Sequence, residues 1–269
     1  MSELKSRVCI VTGGGRGIGA AIARKFADNG GRVAILELDP TLGAATASRL
    51  REGGADVSSY VVDVSDEASV ASAIDRVSSD FGGIDILVNN AGVGRLGPSM
   101  SFPLADWQAS IGVLATGVFL CSREAGKVMR QGGGGVIVNI SSINGIVAFP
   151  MRLAYSAAKA AVISMTKVLA SEWATYGIRV NAVAPGNTET EMFREAVDQG
   201  LIDVEAYMQH TPLRRLASPD EIAETVLYLA SDRSKILTGQ VLVPDGGWTA
   251  FGWVPWSGDP EAPELGGHA

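Results

Sequence analysis

The sequence has few of the residues that metal centres, disulfide frameworks and nucleic-acid surfaces require. It contains two cysteines and two histidines among 269 residues. A zinc site, a disulfide-rich scaffold or a histidine-based catalytic unit is therefore not expected. The 22 basic residues are outnumbered by 29 acidic ones and form no basic run, which argues against nucleic-acid binding. We predict no bound metal and no nucleic-acid partner.

Long apolar runs are also missing. No uninterrupted apolar stretch approaches the roughly 18 residues of a membrane span, and the first apolar run, "VCIVT", is too short for a signal peptide. Cys9 and Cys121 lie in the apolar segments "RVCIVT" and "VFLCSR", which indicates buried free thiols in a reducing compartment. These features predict a cytoplasmic protein that does not bind membranes.

Short β-branched segments alternate along the chain with alanine-rich helical patterns. Nearly continuous apolar strands separated by helices favour a parallel sheet that is covered on both faces. We predict an α/β, doubly wound fold with a seven-stranded parallel sheet, built by one domain over residues 1–251 and followed by a C-terminal extension at 252–269. The predicted strands lie at 7–12, 32–38, 56–64, 84–92, 136–142, 177–186 and 239–247.

A glycine-rich segment, "TGGGRGIG" at residues 12–19, joins the first predicted strand to the first helix. Gly13, Gly17 and Gly19 allow the backbone to turn sharply and to approach a ligand closely. The free N–H groups at the start of the helix would then face a pyrophosphate. With an acidic residue about 20 positions further on, this pattern predicts a dinucleotide site.

Two acidic residues could serve that site. Glu37 ends the strand "RVAILEL", where a carboxylate can accept hydrogen bonds from both hydroxyls of the adenosine ribose. Asp39 precedes Pro40, so a helix-capping role explains it well. We favour Glu37, because a carboxylate there would repel a 2′-phosphate and no basic residue stands at position 38. The cofactor is therefore predicted to be NAD rather than NADP, although Arg16 in the glycine loop could weaken that preference.

A tyrosine and a lysine stand four positions apart in "AYSAAKAAV", so Tyr155 and Lys159 share one face of a predicted helix. Ser142 ends a strand, at the carboxyl edge where ligands bind open parallel sheets. The pKa of a tyrosine hydroxyl lies near 10, and a neighbouring Lys⁺ and an oxidised nicotinamide would lower it. Tyr155 could then exchange a proton with an alcohol or carbonyl while Ser142 binds the same oxygen. We predict that Ser142, Tyr155 and Lys159 are catalytic.

These elements occur together with "DV" at 63–64, "NNAG" at 89–92, "PG" at 185–186 and "DGG" at 245–247. In this order, over residues of about 5 to 250, the chain resembles a classical short-chain dehydrogenase/reductase. The resemblance implies a Rossmann fold and hydride transfer between NAD and a secondary alcohol or ketone. It also implies a small-molecule substrate and, in most cases, a homotetramer.

The resemblance further implies which residues hold the cofactor. Asp63 resembles the residue that binds the adenine amino group, and Asn90 belongs to a turn against the cofactor, although a structural role in the sheet explains Asn90 better. Thr188 and Thr190 are candidates for the nicotinamide carboxamide. The predicted cofactor residues are Gly13, Arg16, Gly17, Ile18, Gly19, Glu37, Asp63, Val64, Asn90, Ala91, Gly92, Tyr155, Lys159, Pro185, Gly186, Thr188 and Thr190.

One position departs from the family's pattern. The family commonly has an Asn in its long fourth helix that helps to hold a water near the Lys, and the spacing places Leu114 there. Three interpretations follow: the water is held by backbone groups, protons leave by another route, or the protein is slow or not an enzyme. The intact Ser142, Tyr155 and Lys159 argue against the last.

Substrate residues are expected in the loops beyond the strands, including residues 191–210. We single out Asn144, which could bind a polyol hydroxyl or simply form a turn, and Arg152, which could bind an anionic group, although a surface role explains it better. Arg95 is a further candidate. A polyol or sugar-like alcohol is the first expectation, and a 3-oxoacyl or other ketone reductase is the alternative. A non-catalytic NAD sensor or scaffold is the rival from another class.

The C-terminal segment carries four aromatic residues, Trp248, Phe251, Trp253 and Trp256. Such a cluster could fill a pocket wall or a subunit interface. We expect the segment from residue 252 onward to pack near a neighbouring subunit's active site. Truncation after Phe251 that left both assembly and turnover unchanged would exclude that role.

Overall fold

The computed structural model describes residues 3–252, and its centre is one parallel sheet of seven strands. The strand order is β3-β2-β1-β4-β5-β6-β7, and all six neighbouring pairs are parallel. The predicted fold class and the seven strands are confirmed. The strands are β1 (Val8–Thr12), β2 (Arg32–Glu37), β3 (Val57–Val61), β4 (Ile86–Asn89), β5 (Gly135–Ile140), β6 (Ile178–Val183) and β7 (Val241–Leu242).

Helices connect the strands and cover both faces of the sheet. They are α1 (Gly17–Asp28), α2 (Pro40–Glu52), α3 (Glu67–Phe81), α4 (Leu104–Ile111), α5 (Gly117–Gln131), α6 (Leu153–Trp173), α7 (Glu191–Asp198), α8 (Val204–His210) and α9 (Pro219–Ala230). On one face, α1 and α9 pack against the sheet through residues such as Phe26 and Val226. On the other, α3 and α5 do so through residues such as Ile74 and Met129.

The central strands are apolar at almost every position because both of their faces are covered. All five residues of β1 and all four of β4 are buried. Cys9 and Cys121 belong to these two cores, and burial raises the pKa of the Cys121 thiol to about 12. The interpretation of both cysteines as buried free thiols is confirmed.

Three segments differ from the sequence-based prediction. The helix predicted over 103–130 is divided into α4 and α5 by a π-helical turn at Gly112–Thr116. The last strand is only two residues long, because the chain turns away into the "DGG" loop. Residues 191–210, expected as loop, contain α7 and α8, which Thr190 and Asp203 cap at their N-termini. Both helices are short and expose one face, so their apolar periodicity covers few turns.

Two helical stretches, Leu104–Gln131 and Leu153–Tyr176, are long and apolar enough to cross a membrane, judged by length and composition only. Core helices of globular proteins pass the same test, and here α5 and α6 pack beside the sheet. Their length is therefore weak grounds for a membrane role. Apart from Gly252, the C-terminal extension lies outside the described residues. Trp253 and Trp256 belong to that part, so the subunit contact predicted for this segment falls outside the described residues as well.

Candidate active site

The predicted site residues gather along the carboxyl edge of the sheet, around the point where the strand order reverses between β1 and β4. In open parallel sheets this switch point is a crevice, because the connections from the two central strands leave in opposite directions. The glycine loop follows β1, the "NNAG" turn includes the end of β4, and Ser142 follows β5. Topology therefore brings together segments that are more than 100 residues apart.

The glycine loop is wound so tightly that side chains would not fit at key positions. Gly13 and Gly17 have positive φ angles of 62° and 54°. A Cβ atom on Gly19 would lie 2.1 Å from the carbonyl oxygen of Gly13. Arg16, the N-cap residue of α1, forms no side-chain capping hydrogen bond, whereas Asp39 and Asp66 cap α2 and α3. The start of α1 therefore offers N–H groups to an anion, as a pyrophosphate site requires.

Glu37 ends β2 beside this loop. Its carboxylate accepts a hydrogen bond from the Gly15 N–H at 3.0 Å and another from the Leu38 N–H at 2.9 Å. Asp39 instead accepts from the N–H groups of Thr41 and Leu42, so the expected helix-capping role of Asp39 is confirmed. Of the two candidate acids, Glu37 is the one placed at the glycine loop.

The "NNAG" turn is tied to the glycine loop by hydrogen bonds. The Asn90 side chain donates to the carbonyl oxygens of Thr12 and Gly13, each at 3.0 Å. The buried Thr12 hydroxyl accepts from the N–H groups of Asn90 and Ala91. Asn90 thus holds the two cofactor-facing loops together, which agrees with the structural role favoured for it.

Asp63 and Val64 follow β3 at the carboxyl edge of the sheet, where the resemblance implies adenine binding. The Asp63 carboxylate accepts from the Ser65 N–H at 2.9 Å and from the Ser65 hydroxyl at 2.6 Å, which fixes its orientation. Val64 is buried against Gly117 of α5, where a Cβ would come within 2.9 Å of Val64 Cγ2. Both residues therefore stabilise the local structure, and they lie where the sequence predicted cofactor residues.

The loop after β6 forms the other end of the crevice. The Pro185 carbonyl oxygen accepts from the Ile143 N–H at 3.1 Å, which joins this loop to the segment after Ser142. The Thr188 hydroxyl donates to the Gly186 carbonyl oxygen at 3.0 Å, and Thr190 caps α7. Arg16 reaches across from the glycine loop to Glu195 of α7 at 3.2 Å. Helix α7 thus lies over the predicted cofactor site.

Tyr155 and Lys159 lie on the same face of α6, as their spacing predicted. The Lys159 Nζ is 5.6 Å from the centre of the Tyr155 ring and donates to the Ile140 carbonyl oxygen at 2.7 Å. The Ser141 hydroxyl donates to the Lys159 carbonyl oxygen at 2.8 Å, so α6 is fastened to the end of β5. The three predicted catalytic residues therefore converge at one place.

The electrostatics of the trio differ in one respect from the expectation. Burial raises the pKa of Tyr155, while the Ser142 hydroxyl and the positive charge of Arg152 act to lower it. Burial also lowers the pKa of Lys159 to about 8, so this side chain still carries a positive charge at neutral pH. Arg152 is thus a cation that acts on the tyrosine, a role the sequence did not suggest.

Leu114 lies inside the π-helical turn and is 1% exposed. Its Cδ2 is 3.4 Å from where a Cβ of Gly92 would stand, so it packs directly against the "NNAG" turn. Position 114 therefore has an apolar packing role in this chain, where the family commonly has an amide side chain.

The three predicted substrate residues lie in different environments. Asn144 is buried, and its side-chain nitrogen has no hydrogen-bond partner within the described part of the chain. Arg95 forms an ion pair with Asp106 at 2.5 Å. Arg152 instead donates to the Tyr207 hydroxyl at 2.9 Å. Sequence reasoning did not single out Tyr207, because its contact depends on helix α8, which was not predicted.

An aromatic wall stands beside Arg152, formed by Phe149, Phe193, Tyr207 and Trp248. The Phe149 and Trp248 rings stack with centres 5.6 Å apart, and Tyr207 contacts both Trp248, at 5.4 Å, and Phe193, at 6.3 Å. These residues come from four separate segments, so no local sequence pattern could have grouped them.

The arrangement has the parts of a nicotinamide-dependent oxidoreductase. A tightly wound glycine loop and an uncapped helix start fit the pyrophosphate, and the tyrosine predicted to exchange a proton is hydrogen-bonded to Ser142. The bound nicotinamide would supply hydride transfer, and the protein would supply orientation and proton transfer.

Comparisons with known proteins define the class of oxidoreductase more narrowly. Residues 13–249 match the family model described as enoyl-(acyl carrier protein) reductase. D-threitol dehydrogenase of Mycolicibacterium smegmatis is 42% identical over 92% of this chain and 94% of its own length. Cis-4-hydroxycyclohexanecarboxylate dehydrogenase of Sinomonas cyclohexanicum is 43% identical over 91% and 97%. A gluconate 5-dehydrogenase of Burkholderia cenocepacia, solved with NADP and tartrate, is similar with a TM-score of 0.88 and 38% identity, over 93% and 97%.

The chain belongs to the short-chain dehydrogenase/reductase family. It is an oxidoreductase that acts on CH–OH groups with a nicotinamide cofactor.

Proposed function

We propose that the protein is an NAD-dependent dehydrogenase of a secondary alcohol, and that its substrate is a polyol or a sugar-like alcohol. The observation that carries this proposal is the convergence of Ser142, Tyr155 and Lys159 beside the glycine loop. Similarity to D-threitol dehydrogenase and to a gluconate 5-dehydrogenase supports a substrate with several hydroxyl groups.

In the proposed reaction, Tyr155 takes the proton of the substrate hydroxyl as the hydride leaves the carbon. The Ser142 hydroxyl donates a hydrogen bond to the same oxygen and holds it in place. Lys159 orients the nicotinamide ribose and passes the proton onward. The unpartnered side-chain nitrogen of Asn144 is a buried donor that a second substrate hydroxyl would satisfy.

The proposal is tested by following the absorbance of reduced nicotinamide after purified protein is mixed with NAD or NADP and a panel of polyols, sugars and hydroxy acids. We expect NADH formation that falls by about 10³-fold or more in Tyr155→Phe. Nucleotide binding without turnover across the panel would favour the rival interpretation, an NAD sensor or scaffold. Faster ketone reduction with NADPH than alcohol oxidation with NAD would favour a ketone reductase.

The proposed preference for NAD rests on Glu37. Its carboxylate would accept hydrogen bonds from the ribose hydroxyls and would repel a 2′-phosphate. We expect Glu37→Ser to lower kcat/KM for NAD by about tenfold and to reduce the discrimination against NADP. Steady-state kinetics with both nucleotides measure the two effects.

Asp39→Ala provides the matched control for this variant. It removes an acid two positions away that caps α2, so it should lower thermal stability by about 1 kcal/mol without changing cofactor choice. If Glu37→Ser left the ratio of NAD to NADP activity unchanged, the assignment of Glu37 would be wrong.

We further propose a cytoplasmic homotetramer. The family resemblance supports the assembly, and the two buried free thiols fit a reducing compartment.

A further inference from the structure

Arg152 is partly buried and has no anionic partner among the residues that the structure describes. Three other arginines of the loops around the site are each paired with an acid: Arg16 with Glu195, Arg95 with Asp106 and Arg194 with Glu189. No ion pair to Arg152 is found among residues 3–252. Its contacts are the Tyr207 hydroxyl and the face of the Phe149 ring, 5.6 Å from its Cζ. A partly desolvated cation of this kind gains from an anion that completes its surroundings.

The position of Arg152 directs that charge toward the reaction centre. Arg152 is the N-cap residue of α6 and precedes Tyr155 by three residues. Its positive charge acts on the Tyr155 hydroxyl. A substrate whose carbinol lies on Tyr155 would therefore have the Arg152 charge close to the rest of its body.

The surroundings of Arg152 limit what kind of anion fits. The aromatic wall closes one side, and Tyr207 holds one guanidinium nitrogen in a fixed direction. The guanidinium retains further N–H donors in its plane, which match the two oxygens of a carboxylate. No lysine or further arginine contacts this group within the described residues, so a single carboxylate fits its charge better than a phosphate does.

Resting on the proposed function, we infer that the substrate is a hydroxy acid, whose carboxylate is bound by Arg152 while its secondary alcohol is oxidised at Tyr155. This residue thus determines specificity for an anionic over a neutral alcohol. Two of the similar proteins are named for such compounds, a hydroxycyclohexanecarboxylate and gluconate.

The test compares substrates that differ only in charge. Cis-4-hydroxycyclohexanecarboxylate is paired with its carboxamide, and D-gluconate with D-sorbitol, in steady-state assays with NAD. In the wild type we expect the acid of a pair to have the higher kcat/KM. Arg152→Gln should raise KM for the acid by about 10- to 100-fold and KM for the neutral compound by less than about threefold. Arg152→Lys should keep part of the preference because it keeps the charge.

Two further variants separate charge recognition from structure. Tyr207→Phe removes the hydrogen bond from Arg152 to α8, so it would reproduce the full loss if Arg152 only fastened that helix. We expect it to reduce the preference for acids less than Arg152→Gln does, because the guanidinium charge stays in place. Arg130→Gln also removes an arginine that lies over an aromatic ring, Tyr176, but does so at the C-terminal end of α5, at the opposite edge of the sheet. We expect it to leave both substrates unaffected.

Binding provides a readout that does not depend on turnover. With NADH present, the carboxylate should raise the unfolding temperature of the wild type more than its carboxamide does, and this difference should vanish in Arg152→Gln. Equal shifts with both compounds, or an equal rise in KM for both substrates in Arg152→Gln, would overturn the inference. Oxidation of neutral alcohols with no preference for acids would overturn this inference but leave the proposed function standing. If neither acidic nor neutral alcohols reduced the nucleotide, the result would count against the proposed function itself.

Discussion

The chemistry of this protein depends on the surroundings of one hydroxyl group. Tyr155 has its pKa raised by burial, and the Ser142 hydroxyl and Arg152 oppose that rise. An alcohol gives up its proton more readily to a phenolate, so oxidation should become faster as the pH rises through the pKa of Tyr155. The groups that hold this pKa down therefore set the pH range in which the enzyme oxidises alcohols.

Replacing Ser142 tests this arrangement. Because the Ser142 hydroxyl lowers the pKa of Tyr155, its removal in Ser142→Ala should move the midpoint of alcohol oxidation to higher pH. The same change removes a hydrogen bond to the reacting oxygen, so kcat should fall by about 10²- to 10³-fold. Initial rates of NADH formation across the pH range measure both effects. A midpoint that did not move would show that Ser142 does not influence the tyrosine.

Ser141→Ala is the neighbouring control. Its hydroxyl donates to the Lys159 carbonyl oxygen rather than facing Tyr155, so it should affect stability more than the pH midpoint. A buried hydrogen bond of this kind contributes about 1 kcal/mol to the free energy of unfolding.

At the scale of elements, a π-helical turn at Gly112–Thr116 lies beside the predicted site. It interrupts the helix where the chain passes the "NNAG" turn and Lys159's helix, and π-helical turns are frequent at functional sites. Leu114 fills the space between the π-helical turn and Gly92 of the "NNAG" turn. An amide at position 114 would therefore replace apolar packing with a polar group.

Leu114→Asn should destabilise the protein by about 2–4 kcal/mol, because it removes buried apolar contacts and places an amide in a site built for leucine. We expect kcat to stay the same or to fall, since backbone groups of the turn would already hold the relay water. Thermal unfolding and steady-state kinetics measure the two effects. Leu114→Met, which keeps the volume and polarity, is the control. A clear gain in kcat in Leu114→Asn would show instead that the relay is incomplete in the natural chain.

At the scale of the whole molecule, the surface of the helices beside the sheet bears on assembly. Helices α4, α5 and α6 expose large apolar side chains, among them Leu104, Phe119, Leu153 and Val168, which are 44–69% exposed. Apolar side chains exposed on neighbouring helices are typical of interfaces between subunits. We therefore place the contact of the proposed tetramer on these helices.

The double variant Phe119→Glu and Val168→Glu should therefore shift the protein to smaller species, because each charge would be buried in the interface. Light scattering coupled to gel filtration gives the mass, which should be four times the 28.0 kDa of the chain in the wild type. Circular dichroism checks that the variant remains folded. A wild type of one chain mass, or a double variant that remains tetrameric, would contradict the proposed assembly.

The sequence by itself determined the elements whose signals are local. Apolar β-branched runs predicted seven strands because strands covered on both faces need apolar residues at every position. Three features of the predicted site could be read from the sequence because each depends on a few neighbouring residues. They are the glycine loop, the spacing of Tyr155 and Lys159, and the acid at Glu37. Even the choice between Glu37 and Asp39 followed from a local rule, since Pro40 indicated a helix start.

Only the tertiary structure decided which of these residues influence one another. Arg152 contacts Tyr207, acts by its charge on Tyr155 and has no anionic partner in the described part of the chain. The aromatic wall draws its members from four segments. Leu114 packs against Gly92. Helix α7 is joined to the glycine loop by the ion pair between Arg16 and Glu195. Such contacts are set by the strand order and the packing of helices, which bring distant residues together. No pattern within a short window of sequence records them.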